Sequence, residues 1–176
     1  MQALIVLDAQ KGILKRKDFN KELVHIHTLI DDFKKRQQVV VATKHILEDS
    51  GSIFDPSSVD SELAESIEQM DIKIIEKDSP NALLNHSLQE YLKLNQVSHL
   101  FIVGFNAEYC CLFTSIAGID RGYKVTYIED ASGSVNNEDT YEMKGLDIVD
   151  FVGSVLDWSG VVEVLYMEEY KEQYCL

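Results

Sequence analysis

The sequence predicts an α/β fold: a three-layer αβα sandwich around a six-stranded, mainly parallel sheet. Short apolar runs rich in β-branched residues recur along the 176 residues, as the buried strands of a parallel sheet require. Amphipathic stretches of helical period separate them, the alternation of a Rossmann-like crossover sheet. Three of the runs also deliver a reactive side chain: Asp8 after Ala3–Leu7, Lys77 after Ile72–Glu76, and Cys110 just beyond Leu100–Gly104. In open α/β sheets, ligands bind beyond the carboxyl ends of the strands.

The elements follow in order. Ala3–Leu7 reads as the first strand. Phe19, Leu23, Ile26, Ile30 and Phe33 recur at steps of three or four, an amphipathic helix with Asp18 available as its cap. Val39–Thr43 is the second strand. Residues 46–60, with Pro56, form the longest irregular stretch and are expected to border the site. A short helix over Ser61–Gln69 precedes the third strand, Ile72–Glu76. Leu84, Leu88, Tyr91 and Leu92 mark the next helix, and Leu100–Val103 the fourth strand. A helix over Tyr109–Arg121 stops at Gly122, a common C-terminal cap. Val125–Ile128 is the fifth strand, Asp130–Ser134 a loop, and Glu138–Leu156 a helix. Val161–Val164, extending toward Met167, is the sixth strand, followed by an acidic tail. No internal repeat or linker divides the chain, so one domain over residues 1–176 is expected.

Composition narrows the function classes. Net charge is −14, with residues 1–45 at +4 and residues 46–176 at −18, a distribution that repels phosphate backbones and argues against nucleic acid. No apolar run reaches the roughly 18 residues of a membrane span. The N-terminal run has no basic lead and ends at Asp8, so it does not read as a signal peptide. Three cysteines, two of them adjacent, suit a reducing cytoplasm better than a disulfide framework. The expected partners are a small-molecule substrate and further copies of the chain, with no membrane.

Taken singly, each reactive residue has an ordinary explanation. A strand-end Asp often only caps a turn, a Lys after a strand is usually solvated, and a lone Cys usually packs as a small hydrophobe. Their shared position changes the weighing. An acid, a base and a thiol brought to one sheet edge are what thiol-based acyl chemistry needs. Cys110 follows a strand-to-helix turn, Gly104-Phe105-Asn106-Ala107-Glu108-Tyr109-Cys110-Cys111, where free amides at a helix start favour a thiolate.

That segment resembles the nucleophile motif of the isochorismatase-like cysteine hydrolases, relatives of nicotinamidase. Gly104, Cys110-Cys111, Thr114 and Gly122-Tyr123 occur in the family's order. Asp8-Ala9-Gln10 matches its Asp-x-Gln, and Lys77 with Asn81-Ala82-Leu83 matches its Lys-x-x-x-Ser-Ala-Phe. The resemblance implies an isochorismatase-like fold and an Asp8–Lys77–Cys110 triad. In it Cys110 attacks an amide carbonyl, Asp8 moves the proton, and Lys77 favours the thiolate. It also implies a cis peptide between Phe105 and Asn106, with the Asn106 and Cys110 amides facing the oxyanion. Gln10, Ile13, His45, Leu83, Tyr109 and Phe113 fall where substrate contacts are expected. Cys111 takes the family's Val position and is expected to pack, while Cys175 reads as surface.

Departures from the pattern sharpen the expectation. Nicotinamidases of the family carry an Asp-x-His for a metal, whereas Thr43–Asp49 contains none, so no metal and no cofactor are expected. His25 and His27 point to different helix faces, and His86 and His99 stand alone. Ile13 and Leu83 replace aromatic positions, so a flat aromatic substrate would lose stacking surface there. Family members acting on isochorismate lack the cysteine, so Cys110 favours small amide, ureido or carbamoyl substrates. A non-catalytic small-molecule or flavin-binding module is the alternative, but Asp8–Gly12 lacks a glycine-rich phosphate cradle. A thiol redox protein is a third, though no C-x-x-C is present.

Overall fold

β-Branched and leucine-rich runs bury both faces, so they occupy the centre of the sheet in the computed structural model, which describes residues 1–49 and 51–175. Ser50, in the irregular 46–60 stretch, and Leu176 lie outside the described residues. The strands are β1 (Gln2–Leu7), β2 (Val39–His45), β3 (Lys73–Lys77), β4 (His99–Phe105), β5 (Lys124–Gly133) and β6 (Glu163–Leu165). They lie in the order β3-β2-β1-β4-β5-β6, and every neighbouring pair is parallel. The expectation of a mainly parallel sheet is thus met in its strictest form. The helices are α1 (Lys11–Leu14), α2 (Asn20–Lys35), α3 (Glu65–Glu68), α4 (His86–Leu94), α5 (Leu112–Asp120), α6 (Ile148–Trp158) and α7 (Met167–Tyr174).

Alternation along β1 sorts the core into two layers, because successive strand residues face opposite sides. Ala3, Ile5 and Leu7 pack with Leu88 and Leu92 of α4, Ala117 of α5, and Val152 and Leu156 of α6. Leu4 and Val6 pack with Ile26, Ile30 and Phe33 of α2 and Tyr170 of α7. The chain winds outward from β1 to β3, then returns to β1's other side as β4. The switch in winding direction falls between β1 and β4, the crevice where such sheets bind ligands.

Glycine makes that crevice possible. Leu7 pairs with Gly104 across the β1–β4 ladder. Gly104 has φ +116°, and a Cβ there would stand 2.1 Å from the Leu7 carbonyl oxygen. Only a residue without a side chain permits this approach.

Several boundaries differ from the sequence expectation. Asp130–Gly133 is strand, not loop: a register shift between Ile102 and Gly104 lets β5 resume pairing through Ser132 and Gly133. The serines are accommodated because Ser132 Oγ donates to the Ile128 carbonyl at 3.0 Å. The helix expected from Glu138 begins at Ile148, where the Asp147 carboxylate accepts from the Val149 and Asp150 amides. The stretch at 61–69 splits into a 3₁₀ turn at Val59–Ser61 and α3. The sixth strand is Glu163–Leu165, and the acidic tail folds as α7, burying Met167 and Tyr170. Asp18 accepts from the Asn20 amide at 3.0 Å, but from one residue before the N-cap position, which Phe19 occupies. None of the helices among the described residues is long and apolar enough to cross a membrane.

Replacing Gly104 by Ala is expected to cost about 3 kcal/mol or more, combining backbone strain with overpacking. In a chain of this length that lowers the melting midpoint by roughly 6–12 °C. Gly122→Ala, also at positive φ but with nothing within 4 Å, should lose only the backbone share, on the order of 1 kcal/mol. Thermal denaturation followed by circular dichroism distinguishes the two.

Candidate active site

Asp8 leaves β1 with φ +51°, an uncommon conformation for a residue bearing a side chain. Its amide donates to the Thr43 carbonyl at 3.2 Å. The Thr43 hydroxyl in turn donates to Asp8 Oδ1 at 2.6 Å. One carboxylate oxygen is therefore fixed by the neighbouring strand. The other, Oδ2, lies 2.7 Å from Lys77 Nζ in ion-pair contact but accepts no hydrogen bond. It keeps lone-pair capacity for a proton.

Lys77 closes β3, in register with His45 at the end of β2. Its ammonium is buried, donates to His45 Nδ1 at 2.9 Å, the Ser79 carbonyl at 3.0 Å and Cys110 Sγ at 3.4 Å, and stands in ion-pair contact with Asp8 Oδ2. Its three N–H donors are thus engaged and its charge is paired, the condition under which a buried charge is tolerated. Cys110 arrives from the opposite half of the sheet, on a π turn at Ala107–Cys111 that leads into α5. The peptide bond between Phe105 and Asn106 is cis. Asp8, Lys77 and Cys110, separated widely in sequence, converge at the crevice between β1 and β4.

Electrostatics correct one expectation. Burial pushes the Cys110 thiol well above its ordinary pKa, the Asp8 carboxylate pushes it further, and Lys77 only partly opposes them. The free site therefore holds a thiol beside a carboxylate, not a standing thiolate. The expectation that Lys77 and the helix start secure a thiolate overlooked how completely the sulfur is desolvated. His45 is held below its ordinary pKa by burial and by the adjacent ammonium. With Lys77 donating to Nδ1, the imidazole is neutral and carries its proton on Nε2.

One oxygen, nitrogen or sulfur from Asp8, His45 and Cys110 all lie within 4.8 Å of one another, a spacing compatible with metal ligation. The Lys77 ammonium, however, lies 2.7, 2.9 and 3.4 Å from those three groups. A divalent ion would have to share their centre with a positive charge. The site as built takes its cation from Lys77, and these donors do not fit a resident metal.

The remaining residues separate into scaffold and rim. Gln10 is a correction. Its Nε2 donates to the His45 and Ser61 carbonyls at 2.9 and 2.7 Å, and its Oε1 accepts from the His45 amide at 2.9 Å. Its amide is used up in joining β1 to β2, leaving nothing for substrate. Ile13 is buried on the α2 side of the sheet, and Leu83 is fully buried under α5, so neither offers surface to a ligand. His45 stays at the centre, its ring 4.7 Å from Phe54 of the 46–60 stretch. Beside it, Ile46, Leu47, Glu48, Lys77 and Asp78 line a cavity of about 510 Å³. Tyr109 and Phe113, flanking the Cys110 turn, are exposed. Cys111 is fully buried in the core and Cys175 is exposed, and all three thiols are free.

Four participants lay outside the sequence reading: Thr43, Ser79, Phe54 and Glu108. Glu108 Oε1 accepts from Ser134, Asn136 and Tyr141, and the Tyr141 hydroxyl lies 2.8 Å from that of Tyr109, from which it can accept. This network ties the segment after β5 to the turn that carries Cys110. A polar residue ending an otherwise apolar strand was the available signal for Thr43. For the others, contact depends on packing alone.

With this geometry in place, comparison with known proteins is direct. Residues 2–159 match the family model described as Isochorismatase domain, and the chain belongs to that family. It is 26% identical over 148 residues to the uncharacterized isochorismatase family protein YrdC of Bacillus subtilis, covering 80% of this chain and 79% of that one. A cysteine hydrolase from Pseudomonas syringae superposes with a TM-score of 0.83 at 21% identity, over 97% of this chain and 91% of its own. A nicotinamidase from Bacillus subtilis superposes with a TM-score of 0.76 at 18% identity, over 93% and 98%. At these identities the two structures establish the fold.

The charge balance makes the thiol a titration probe. Alkylation of Cys110 by iodoacetamide is expected to be slow at neutral pH and to rise only above the usual thiol range near 8.5. Asp8→Asn removes a group that raises the thiol pKa, so alkylation at pH 8 should speed up. Lys77→Met removes the opposing positive charge, so it should slow down. Mass-spectrometric rates across a pH series would expose the reverse order if the balance were misjudged.

Proposed function

From membership of the isochorismatase family, we propose that this protein is a cysteine-dependent hydrolase of a small amide, ureido or carbamoyl compound, acting through a thioester. The buried contact of the Lys77 ammonium with both Asp8 and Cys110, at the switch point of the sheet, carries the reading. Burial keeps the sulfur protonated, so the reaction begins with transfer of the thiol proton to Asp8 Oδ2 as Sγ attacks the carbonyl carbon. Lys77 offsets the charge created on sulfur. The backbone amides of Asn106 and Cys110 are proposed to receive the oxyanion. Collapse of the tetrahedral adduct expels the amine, which takes its proton from Asp8. Water, deprotonated by Asp8, then cleaves the thioester and restores the thiol.

Gln10, Ile13 and Leu83 are committed to the scaffold, so the proposed contacts fall to His45, Phe54, Tyr109 and Phe113. This mixed aromatic and polar set suits a compact polar amide more than an extended chain. Hydrolysis is favoured over a flavin-binding module by the family, and over redox exchange by the burial of Cys111 among apolar neighbours. A free nucleophilic thiol is best kept in a reducing compartment, so a cytoplasmic setting belongs to the same proposal.

An ammonia-release screen over small carboxamides, ureido acids and carbamoyl compounds is expected to yield a substrate. On it, Cys110→Ser should fall below detection, because Asp8 and Lys77 cannot ionise an alcohol. Asp8→Asn should lose about 10²–10⁴-fold, the usual share of a general acid–base. Cys111→Val should stay close to the parent rate. Loss of activity in the 111 variant with survival of the 110 variant would assign the wrong thiol.

Because Lys77 supplies the cation, chelators such as EDTA are expected to leave that rate unchanged. Elemental analysis of active protein finding stoichiometric metal would contradict this.

A further inference from the structure

We propose that Glu108 is a positioning residue for the hydrolysis: through the segment that follows β5, it fixes the turn that presents Cys110 and the amides offered to the oxyanion. The inference rests on the cysteine-hydrolase reading and extends it to a side chain that touches no reacting atom. A π turn is a rare form, met mostly as single turns beside functional sites. In the turn at Ala107–Cys111, the Tyr109 and Cys111 amides share one acceptor, the Asn106 carbonyl, at 3.1 and 3.2 Å. The setting of Asn106 therefore governs the amides that follow it.

Asn106 is held from outside the turn: its Oδ1 accepts from the Val135 amide at 3.1 Å. Glu108 completes the hold. Its Oε1 accepts from Ser134 Oγ at 2.8 Å, Asn136 Nδ2 at 2.7 Å and Tyr141 Oη at 3.2 Å. Successive residues from Ser134 to Asn136 thus bond in alternation to Glu108, Asn106 and Glu108. From their other side, Lys17 Nζ donates to the Ser134 and Asn136 carbonyls at 2.9 and 2.6 Å. The segment is a strap between the loop after α1 and the Cys110 turn. A carboxylate is a costly anchor here, because Oε2 is sealed from solvent and accepts no hydrogen bond. Its charge roughly doubles the strength of hydrogen bonds to the other oxygen, where all three donors converge. That charge serves the strap and not the sulfur. The Cys110 thiol is governed by burial, Asp8 and Lys77, so Glu108 reaches it through geometry.

Turnover of p-nitrophenyl acetate by the whole chain tests this without a known amide. Its acetyl group passes to Cys110 Sγ with release of p-nitrophenolate, the thiol proton going to Asp8, and then to water as acetate. Glu108→Ala should lower kcat about 10–100-fold, the scale of a misplacement of about an ångström, with KM within about threefold. Glu108→Gln keeps an accepting oxygen and should recover kcat to within about fivefold of the parent. If Glu108→Ala fails to fold, Asn136→Ala/Tyr141→Phe decides, since it removes two donors from the strap and spares the turn. It should lower kcat about fivefold or more at unchanged KM. Asp139→Asn, a charge change on the same segment, should leave both constants at parent values. A Cys110-dependent parent whose kcat survives Glu108→Ala or the double variant overturns the proposal and leaves the hydrolase reading intact. A raised KM at constant kcat overturns it as well, as does Glu108→Gln impaired as far as Glu108→Ala. A parent no faster than Cys110→Ser overturns the hydrolase reading and this proposal with it.

Discussion

Everything at the site depends on where one ammonium sits. Lys77 Nζ is buried among a carboxylate, an imidazole nitrogen, a carbonyl and a sulfur, and each contact constrains a different strand. Asp8 belongs to β1, His45 to β2, Lys77 to β3, and Cys110 to the turn after β4. A buried charge left without partners costs several kcal/mol, so the four strand ends are held in mutual register by the need to satisfy it. Thr43 and Gln10 extend the same logic. Thr43 binds the Asp8 oxygen that Lys77 does not contact, and Gln10 locks the His45 backbone in place.

The ammonium can occupy that position only because the sheet closes tightly between β1 and β4. Gly104 lets the Leu7 carbonyl approach to a distance that a methyl group would block. The same closeness brings the Cys110 turn over the end of β1. Parallel pairing throughout puts every carboxyl end on one side, so residues from both halves of the chain arrive at one crevice. The site is therefore a product of sheet topology as much as of residue type.

Three opposing influences act on the Cys110 thiol. Burial and the Asp8 carboxylate both raise the thiol pKa, while Lys77 lowers it, and the first two win. In the proposed reaction, the thiol gives up its proton to Asp8 only as sulfur attacks a carbonyl. Such an arrangement limits adventitious oxidation and alkylation, which require thiolate. The same ammonium gives the cluster of Asp8, His45 and Cys110 its cation, so the donors that might recruit a metal serve instead as its ion-pair and hydrogen-bond partners.

The sequence alone determined the layered α/β class, the strand order along the chain and the three residues, Asp8, Lys77 and Cys110, that meet at the crevice. Strand-ending positions and motif spacing are local properties that survive without coordinates. It also indicated the irregular 46–60 stretch as bordering the site, which Phe54 fulfils. It could not tell that Gln10 is consumed by backbone partners or that Leu83 and Ile13 are sealed in the core. Exposure depends on what packs above a residue, and that is a tertiary property. It read Asp130–Ser134 as loop because its residue types are those of turns, whereas a register shift in the β4–β5 ladder keeps Ser132 and Gly133 paired. Nor could it weigh desolvation against charge at Cys110, since both terms depend on distances and burial that exist only after folding. Residue identity specified which groups could react, and packing decided which protonation state and which neighbours each would have.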